Sequence, residues 1–493
     1  MSEDGELVFK TATELAQGIK DGKTTSVAVV EAFLKQIEKH NSKINAIVTL
    51  DAEGARNKAK EADDALVRGE DWGALHGVPF TAKDTYATKG MRTSFANPLH
   101  KNFVPDYDAA LVAKMKGAGG ILIGKTNMPT FAFDWQTNNF SFGRTNNPWN
   151  LDYMVGGSSG GSAAALAAGF TPLCLGSDVG GSLRVPAHCC GVFTLRPTEG
   201  SLSDFGHLSE PDQPRRFRNM VMCGPMARSV ADLKLALSIL WGADERDWTT
   251  PPVPLQREES IASLDGLKVA WMPTLGDVRI SKDTEQTLSS FIEKLKEAGC
   301  VVKQAKPEGI DAKNMQDIWG ILMGVDMLAS MPWFIRGTPL RHLFKLGFRI
   351  RFGSGRLSSG LSRGTNGDWK RVMRVLEARD ALIAKANGFF SEYNVWITPV
   401  SATTAFKHCR TGKAVLVDGQ KIPYSEIFSP FNCTTTLMGH PVLVMPIGIS
   451  SDGLPIGVQI HARRWSDWRL LEIGELMEKI VGELQQPSII YKD

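Results

Sequence analysis

The chain carries no strong excess of charge of either sign: 56 Lys and Arg face 53 Asp and Glu over 493 residues, a formal net charge of +3. Nucleic acid as the main partner would need a basic stripe, which this balance does not supply. Cysteine is sparse and unpaired. The seven residues show no ligand-pair spacing, which excludes a disulfide framework and a structural metal site from the reading. Cys189 and Cys190, beside His188, read as small buried apolar groups rather than ligands. The opening MSEDGELVFK lacks the basic segment and apolar run of a secretory signal. The longest small-apolar stretch, 163–176, falls short of the roughly 20 apolar residues that span a bilayer. The expectation is a cytoplasmic protein with reduced thiols, no metal and no organic cofactor.

What is present is an ordinary globular composition, 43% hydrophobic and 22% charged, in a chain long enough for a large core. Thr24, Thr25 and Ser26 predict the start of a helix with Val27, Val30, Phe33, Leu34 and Ile37 at helical spacing, broken by His40 and Asn41. The apolar runs INAIVTL, HGVPFTAKD, GILIGK and TPLCLG then alternate with helical patterns, and Ser229 with Asp232 forms a capping-box pattern. LKVAWM, a helix over 283–298 and CVVKQ make a further unit, followed by NVWITP, PVLVMPIG and PIGVQI. This predicts one α/β domain over 1–493, a large mixed sheet with helices on both faces. It carries an N-terminal helical segment at about 8–65 and a variable helical lid at about 311–390. Residues 353–367, rich in Gly, Ser and Arg, read as a mobile surface loop.

The stretch GGSSGGSAAALAAG, Gly156 to Gly169, admits three readings. Gly156 to Gly161 has the spacing of a phosphate loop, but Ser162 stands where that loop needs lysine. Ser159 in GSSGG matches the G-x-S-x-G nucleophile elbow of α/β-hydrolases, which needs an acid and a histidine downstream. His207, His342, His408, His440 and His461 are available for it, none in a diagnostic context. The third reading rests on GSDVGGSLRVPA, where Ser182 follows Gly180 and Gly181. Without a Cβ at those glycines, backbone N–H groups can converge on a developing oxyanion beside a serine nucleophile. Lys83, at the end of the strand pattern HGVPFTAK, is the available proton acceptor.

GVPFTAKD resembles the lysine motif of the amidase signature enzymes, and GGSSGGSAAALAAG through GSDVGGSLRVPAHCCGVFTLRPTEG resembles their serine and glycine signature almost throughout. GPMARSVADL, GHPVLVMPIG and LPIGVQI extend the likeness over most of the chain. The resemblance implies the amidase-signature fold, with Ser182 as nucleophile, Ser158 as a bridging serine in a cis arrangement and Lys83 as base. It also implies an oxyanion hole at Val179, Gly180, Gly181 and Ser182, supported by Ser159, Asp178 and Arg184. Asp178 and Arg184 read equally well as a buried ion pair that fixes the turn. The relay requires an uncharged Lys83, so burial must lower its pKa from about 10.4 and Asp84 must point elsewhere.

The implied activity is hydrolysis of an aliphatic, aryl or acyl amide through an acyl-enzyme on Ser182. The alternatives are an esterase using Ser159 and a glutamine-hydrolysing, amidotransferase-type protein. The amidotransferase members of the resembled family carry an acidic residue shortly before their C-terminal asparagine and glycine motif. In SPFNCTTTLMGHP, Ser429 stands there, which favours a stand-alone hydrolase. The apolar and basic segment 319–352 reads as a lid over an apolar pocket in preference to a membrane-docking element. The expected partner is a small-molecule amide, not nucleic acid or a membrane, with a homodimer as the assembly considered.

Overall fold

Eleven short apolar runs pair into one sheet. In the computed structural model, which describes residues 3–207, 220–258, 260–330, 338, 341–353, 355–482 and 485–487, they are β1 (Ile47–Leu50), β2 (Pro79–Lys83), β3 (Ile121–Thr126), β4 (Leu173–Asp178), β5 (Phe193–Arg196), β6 (Met222–Ala227), β7 (Lys268–Trp271), β8 (Val301–Gln304), β9 (Val395–Pro399), β10 (Val442–Ile449) and β11 (Pro455–His461). Their order across the sheet is β1-β3-β2-β4-β6-β5-β10-β11-β9-β7-β8. The sheet is mixed: β2 runs parallel to β3 and β4, and β7 to β8 and β9, while the remaining pairs are antiparallel. Every residue of β2, β3, β4 and β6 is buried, and β2, β3 and β4 fall on the apolar runs HGVPFTAKD, GILIGK and TPLCLG, with β3 and β4 extending past them by Thr126 and by Ser177 and Asp178. Among the described residues no helix is long and apolar enough to cross a membrane.

Three local expectations change. The helix that Thr25 caps runs from Ser26 to Ile44, through His40 and Asn41. Asn41 shapes the turn that follows: its Oδ1 accepts from Ala46 N (2.9 Å) and Ile47 N (3.0 Å), and Asn45 closes the helix at φ 57°. The capping box at Ser229 is half formed. Ser229 Oγ accepts from Asp232 N, but the Asp232 carboxylate accepts from Ala12 N and Thr13 N, filling free donors at the start of the Ala12–Lys20 helix.

The third change concerns 353–367. Instead of a surface loop, Arg356–Gly364 forms a helix that buries Leu357, Gly360, Leu361 and Gly364. Gly360 and Gly364 face Gly320 and Gly324 of the Ala312–Ser330 helix. A Cβ built on Gly360 would stand 2.7 Å from Asp317 O and 3.1 Å from Gly320 Cα; one on Gly364 would stand 2.8 Å from Gly324 Cα. The glycines that suggested mobility are there because two helix backbones touch. Residues 331–337, 339–340 and 354 of the expected lid lie outside the described residues.

Replacing Gly360 with valine drives a branched side chain into that contact. Gly360→Val is expected to lower the thermal unfolding midpoint, with a stability loss of about 1–3 kcal/mol in a denaturant titration.

Candidate active site

Parallel pairing of β2 with β4 brings their C-terminal ends to the same edge of the sheet, where α/β enzymes place their chemistry. β2 ends in Lys83, and β4 ends in Ser177 and Asp178. The glycine loop before the Gly160–Ala167 helix supplies Ser158, and the turn after β4 supplies Ser182.

Lys83 is wholly buried, and its Nζ donates to Ser158 Oγ at 2.7 Å and to Ser177 Oγ at 3.1 Å. Burial lowers its pKa to about 7, against the opposing pull of Asp178 and of the thiols of Cys223 and Cys174. Asp84 turns away, accepting from Ser94 Oγ and N and lying in the field of Lys125. The Gly157–Ser158 peptide is cis. A Cβ on Gly157 would stand 2.6 Å from Asp134 O, so the loop's neighbour admits only glycine there.

Ser182 is 8% exposed, in contrast to the sealed lysine, and its hydroxyl makes no hydrogen bond among the described residues. Two serine turns are tied together by Ser159 N, which donates to Ser182 O at 3.0 Å. The Ser159 hydroxyl does not cap the helix; it lies between Ser177 N (3.3 Å) and Ser177 O (3.2 Å). Four backbone donors were expected at the oxyanion site, and the turn leaves three. Gly181 N is committed to Asp178 Oδ1 at 2.9 Å, whereas the N–H groups of Val179, Gly180 and Ser182 have no acceptor among the described residues. Gly181 has φ +104°, and a Cβ on it would meet Asn432 Cγ at 2.7 Å.

Asp178 and Arg184 form a buried two-point ion pair, Nη2 to Oδ1 at 2.8 Å and Nε to Oδ2 at 3.0 Å. Burial alone would raise the Asp178 pKa; the charge and hydrogen bonds of Arg184, with Arg196 3.8 Å away, hold it well below the usual carboxylate range. The rest of the Arg184 guanidinium is spread over Thr435 Oγ1, Thr436 Oγ1, Asn432 O and Gln459 Oε1. The pair therefore anchors the serine turn to the Ser429–Thr436 helix and to β11.

Two tryptophans wall the turn. Trp135 Nε1 donates to Gly180 O at 3.0 Å, and Trp319 Nε1 donates to Val179 O at 2.7 Å. The Trp135 ring lies 5.7 Å from Phe352 and 5.6 Å from Phe428, and Phe133 lies 5.1 Å from Phe352. Asp134, beside them, pairs with Arg351 at 3.2 Å and accepts from Tyr424 Oη at 2.6 Å. Ser429 accepts from Gln316 Nε2 at 2.8 Å, and the same amide donates to Glu426 at 3.1 Å. An acidic residue thus stands three positions before Ser429. Sequence reasoning missed Ser177, Trp135 and Glu426; only Ser177, inside the GSDVGGS run, carried a local signal.

The histidines are engaged elsewhere. His440 and His461 share a hydrogen bond of 2.9 Å, His408 contacts Leu151 O, and the His207 ring lies tilted 5.0 Å from that of Tyr86. Among the described residues the Ser159 hydroxyl hydrogen-bonds Ser177 alone, and the side chain of His342 lies outside them. Cys189, Cys190 and His188 are buried, with His188 Nδ1 accepting from Gly457 N. Among the described residues no group of three or more His, Cys, Asp or Glu gathers in a metal-binding arrangement.

Residues 28–471 match the family model described as Amidase. The chain belongs to the amidase family. It is an enzyme of amide C–N bonds. This amidase is 32% identical over 499 residues to a glutamyl-tRNA(Gln) amidotransferase subunit from Alkaliphilus metalliredigens, covering 96% of each chain. The structure of a bacterial aryl acylamidase of the amidase signature family superimposes with a TM-score of 0.80 at 26% identity, covering 96% of each chain. 6-Aminohexanoate cyclic dimer hydrolase, at 24% identity, shares the fold with a TM-score of 0.80 over 98% of this amidase and 99% of that chain.

Removing Arg184 strands a buried carboxylate. Arg184→Met is expected to cost about 3–5 kcal/mol at pH 7. The wild-type pair contributes stability above the unfolded aspartate pKa of about 3.9 and loses it as pH falls through the lower folded value. In the variant Asp178 takes up its proton at higher pH, so the deficit seen by urea unfolding narrows between pH 7 and pH 4.

Proposed function

We propose that this amidase hydrolyses amides with an apolar or aryl acyl group through a covalent intermediate on Ser182, with Ser158 relaying protons to Lys83. The observation that carries the reading is a wholly buried amine hydrogen-bonded to a hydroxyl at 2.7 Å and, among the described residues, to no carboxylate; burial lowers its pKa to about 7. Ser182 Oγ attacks the amide carbon and passes its proton to Ser158, whose own proton moves to the free pair of Lys83 Nζ. The carbonyl oxygen becomes an oxyanion facing the free N–H groups of Val179, Gly180 and Ser182. As the C–N bond breaks, Ser158 protonates the leaving nitrogen and Lys83 returns its proton to Ser158. Water then attacks the ester, its proton passing along the same path and back to Ser182 Oγ as the C–O bond breaks, and the carboxylic acid leaves and ionises in solvent.

Support for an apolar acyl or aryl group comes from Trp135 and Trp319 on the serine turn, with Phe352 and Phe428 packed on Trp135. A glutamine-hydrolysing role is the second reading, favoured by the amidotransferase relatives and by Glu426. Against it, Glu426 is held by Gln316 and the walls of the turn are aromatic.

A fluorophosphonate probe is expected to label the wild type and not Ser182→Ala. Lys83→Met should lose about 10²- to 10⁴-fold in kcat with an anilide substrate. Because the base acts when uncharged, kcat/KM should rise with pH through about 7. Benzamide or hexanamide should turn over at least tenfold faster than glutamine. Full activity of Lys83→Met at neutral pH, or glutamine as the best substrate, overturns the respective part.

A further inference from the structure

We infer that Ser177 is a positioning residue of this amidase: its hydroxyl holds one N–H of Lys83 and thereby aims the free electron pair of the amine at Ser158. The inference rests on the reading of Lys83 as base. A neutral amine has two N–H bonds and a single lone pair, and Lys83 Nζ has two hydroxyl neighbours, Ser158 at 2.7 Å and Ser177 at 3.1 Å. With Ser177 Oγ accepting an N–H, the lone pair is left for the Ser158 proton. In the reverse arrangement Ser177 would donate to the lone pair, and Ser158 would have no acceptor. Once Lys83 is protonated it has three N–H bonds and no lone pair, and Ser177 remains an acceptor for one of them.

Among the described residues no other side chain hydrogen-bonds Lys83 Nζ. Neither Cys174 on β4, whose thiol is kept protonated by burial, nor Asp178, whose oxygens serve Arg184, Gly181 and Leu183, does so. Asp84 is turned to Ser94, Lys125 on β3 donates to Thr88 and Thr93, and Tyr86 Oη donates to Gly176 O. Ser177 is 4% exposed, so water does not replace it freely. Its backbone is clamped at both polar groups by the Ser159 hydroxyl, which fixes the side chain's origin relative to Ser158 on the adjoining loop.

The test is the pH dependence of inactivation by a fluorophosphonate, which reads the activation of Ser182 without a chosen substrate. The wild-type rate should rise through an inflection near the Lys83 value of about 7. Ser177→Ala removes an acceptor of the ammonium, so the charged form is destabilised and the inflection moves to lower pH, by about one to two units. The plateau should fall at least tenfold, because the weaker base is also unaimed. Ser177→Thr keeps the hydroxyl and should restore the wild-type inflection. Ser177→Cys, which keeps the shape with a poor acceptor, should shift in the same direction as alanine and serves if the alanine variant does not fold. An unmoved inflection in Ser177→Ala or Ser177→Cys, with Lys83→Met unreactive, overturns the inference alone. Wild-type reactivity of Lys83→Met overturns the relay itself.

Discussion

The molecule is organised around keeping one amine dry. An ammonium group in water is cheap to maintain and useless as a base, and only removal from water makes the neutral form accessible near pH 7. Lys83 lies wholly buried among the all-buried strands β2, β3, β4 and β6, its hydrogen-bond partners are the hydroxyls of Ser177 on β4 and Ser158 on the glycine loop, and the neighbouring carboxylate, Asp84, is turned to Ser94. Two carboxylates flank the site, and both are engaged away from the amine: Asp84 by Ser94 and Asp178 by Arg184. That division lets a lysine, an ion pair and three serines share one end of two strands.

The same ion pair has a structural role at a distance from the amine. Asp178 takes Gly181 N, Leu183 N and the guanidinium, so one carboxylate sets the path of the chain through the serine turn. Among the described residues it leaves the N–H groups of Val179, Gly180 and Ser182 without an acceptor, while the tryptophans hold the carbonyls of Val179 and Gly180. Site geometry and fold are hard to separate here, since Arg184 also reaches Thr435, Thr436 and Gln459 from elements far along the sequence.

Much of the site was legible in the sequence because its backbone demands are extreme. Gly157, Gly180 and Gly181 are written where a Cβ would collide with Asp134, Trp319 and Asn432, and such demands leave short, dense runs of glycine and serine. Most strands were legible too, as buried apolar runs. β5 and β6 were not read: FTLR mixes polar and apolar residues, and MCGPMA contains the glycine and proline that mark turns. Trp135 and Glu426 were invisible because their importance comes from long-range packing. The 353–367 stretch misled for the opposite reason, since glycine serves both loose turns and tight helix contacts, and only the facing pair Gly320 and Gly324 tells them apart.

That glycine contact has a mechanical consequence. Backbones in direct touch cannot slide past one another without separating, so the Ala312–Ser330 and Arg356–Gly364 helices behave as a single plank. Trp319 projects from that plank onto the carbonyl of Val179 and the face of Gly180. Any displacement of the plank therefore pulls, through the Trp319 hydrogen bond, on the backbone of the serine turn itself.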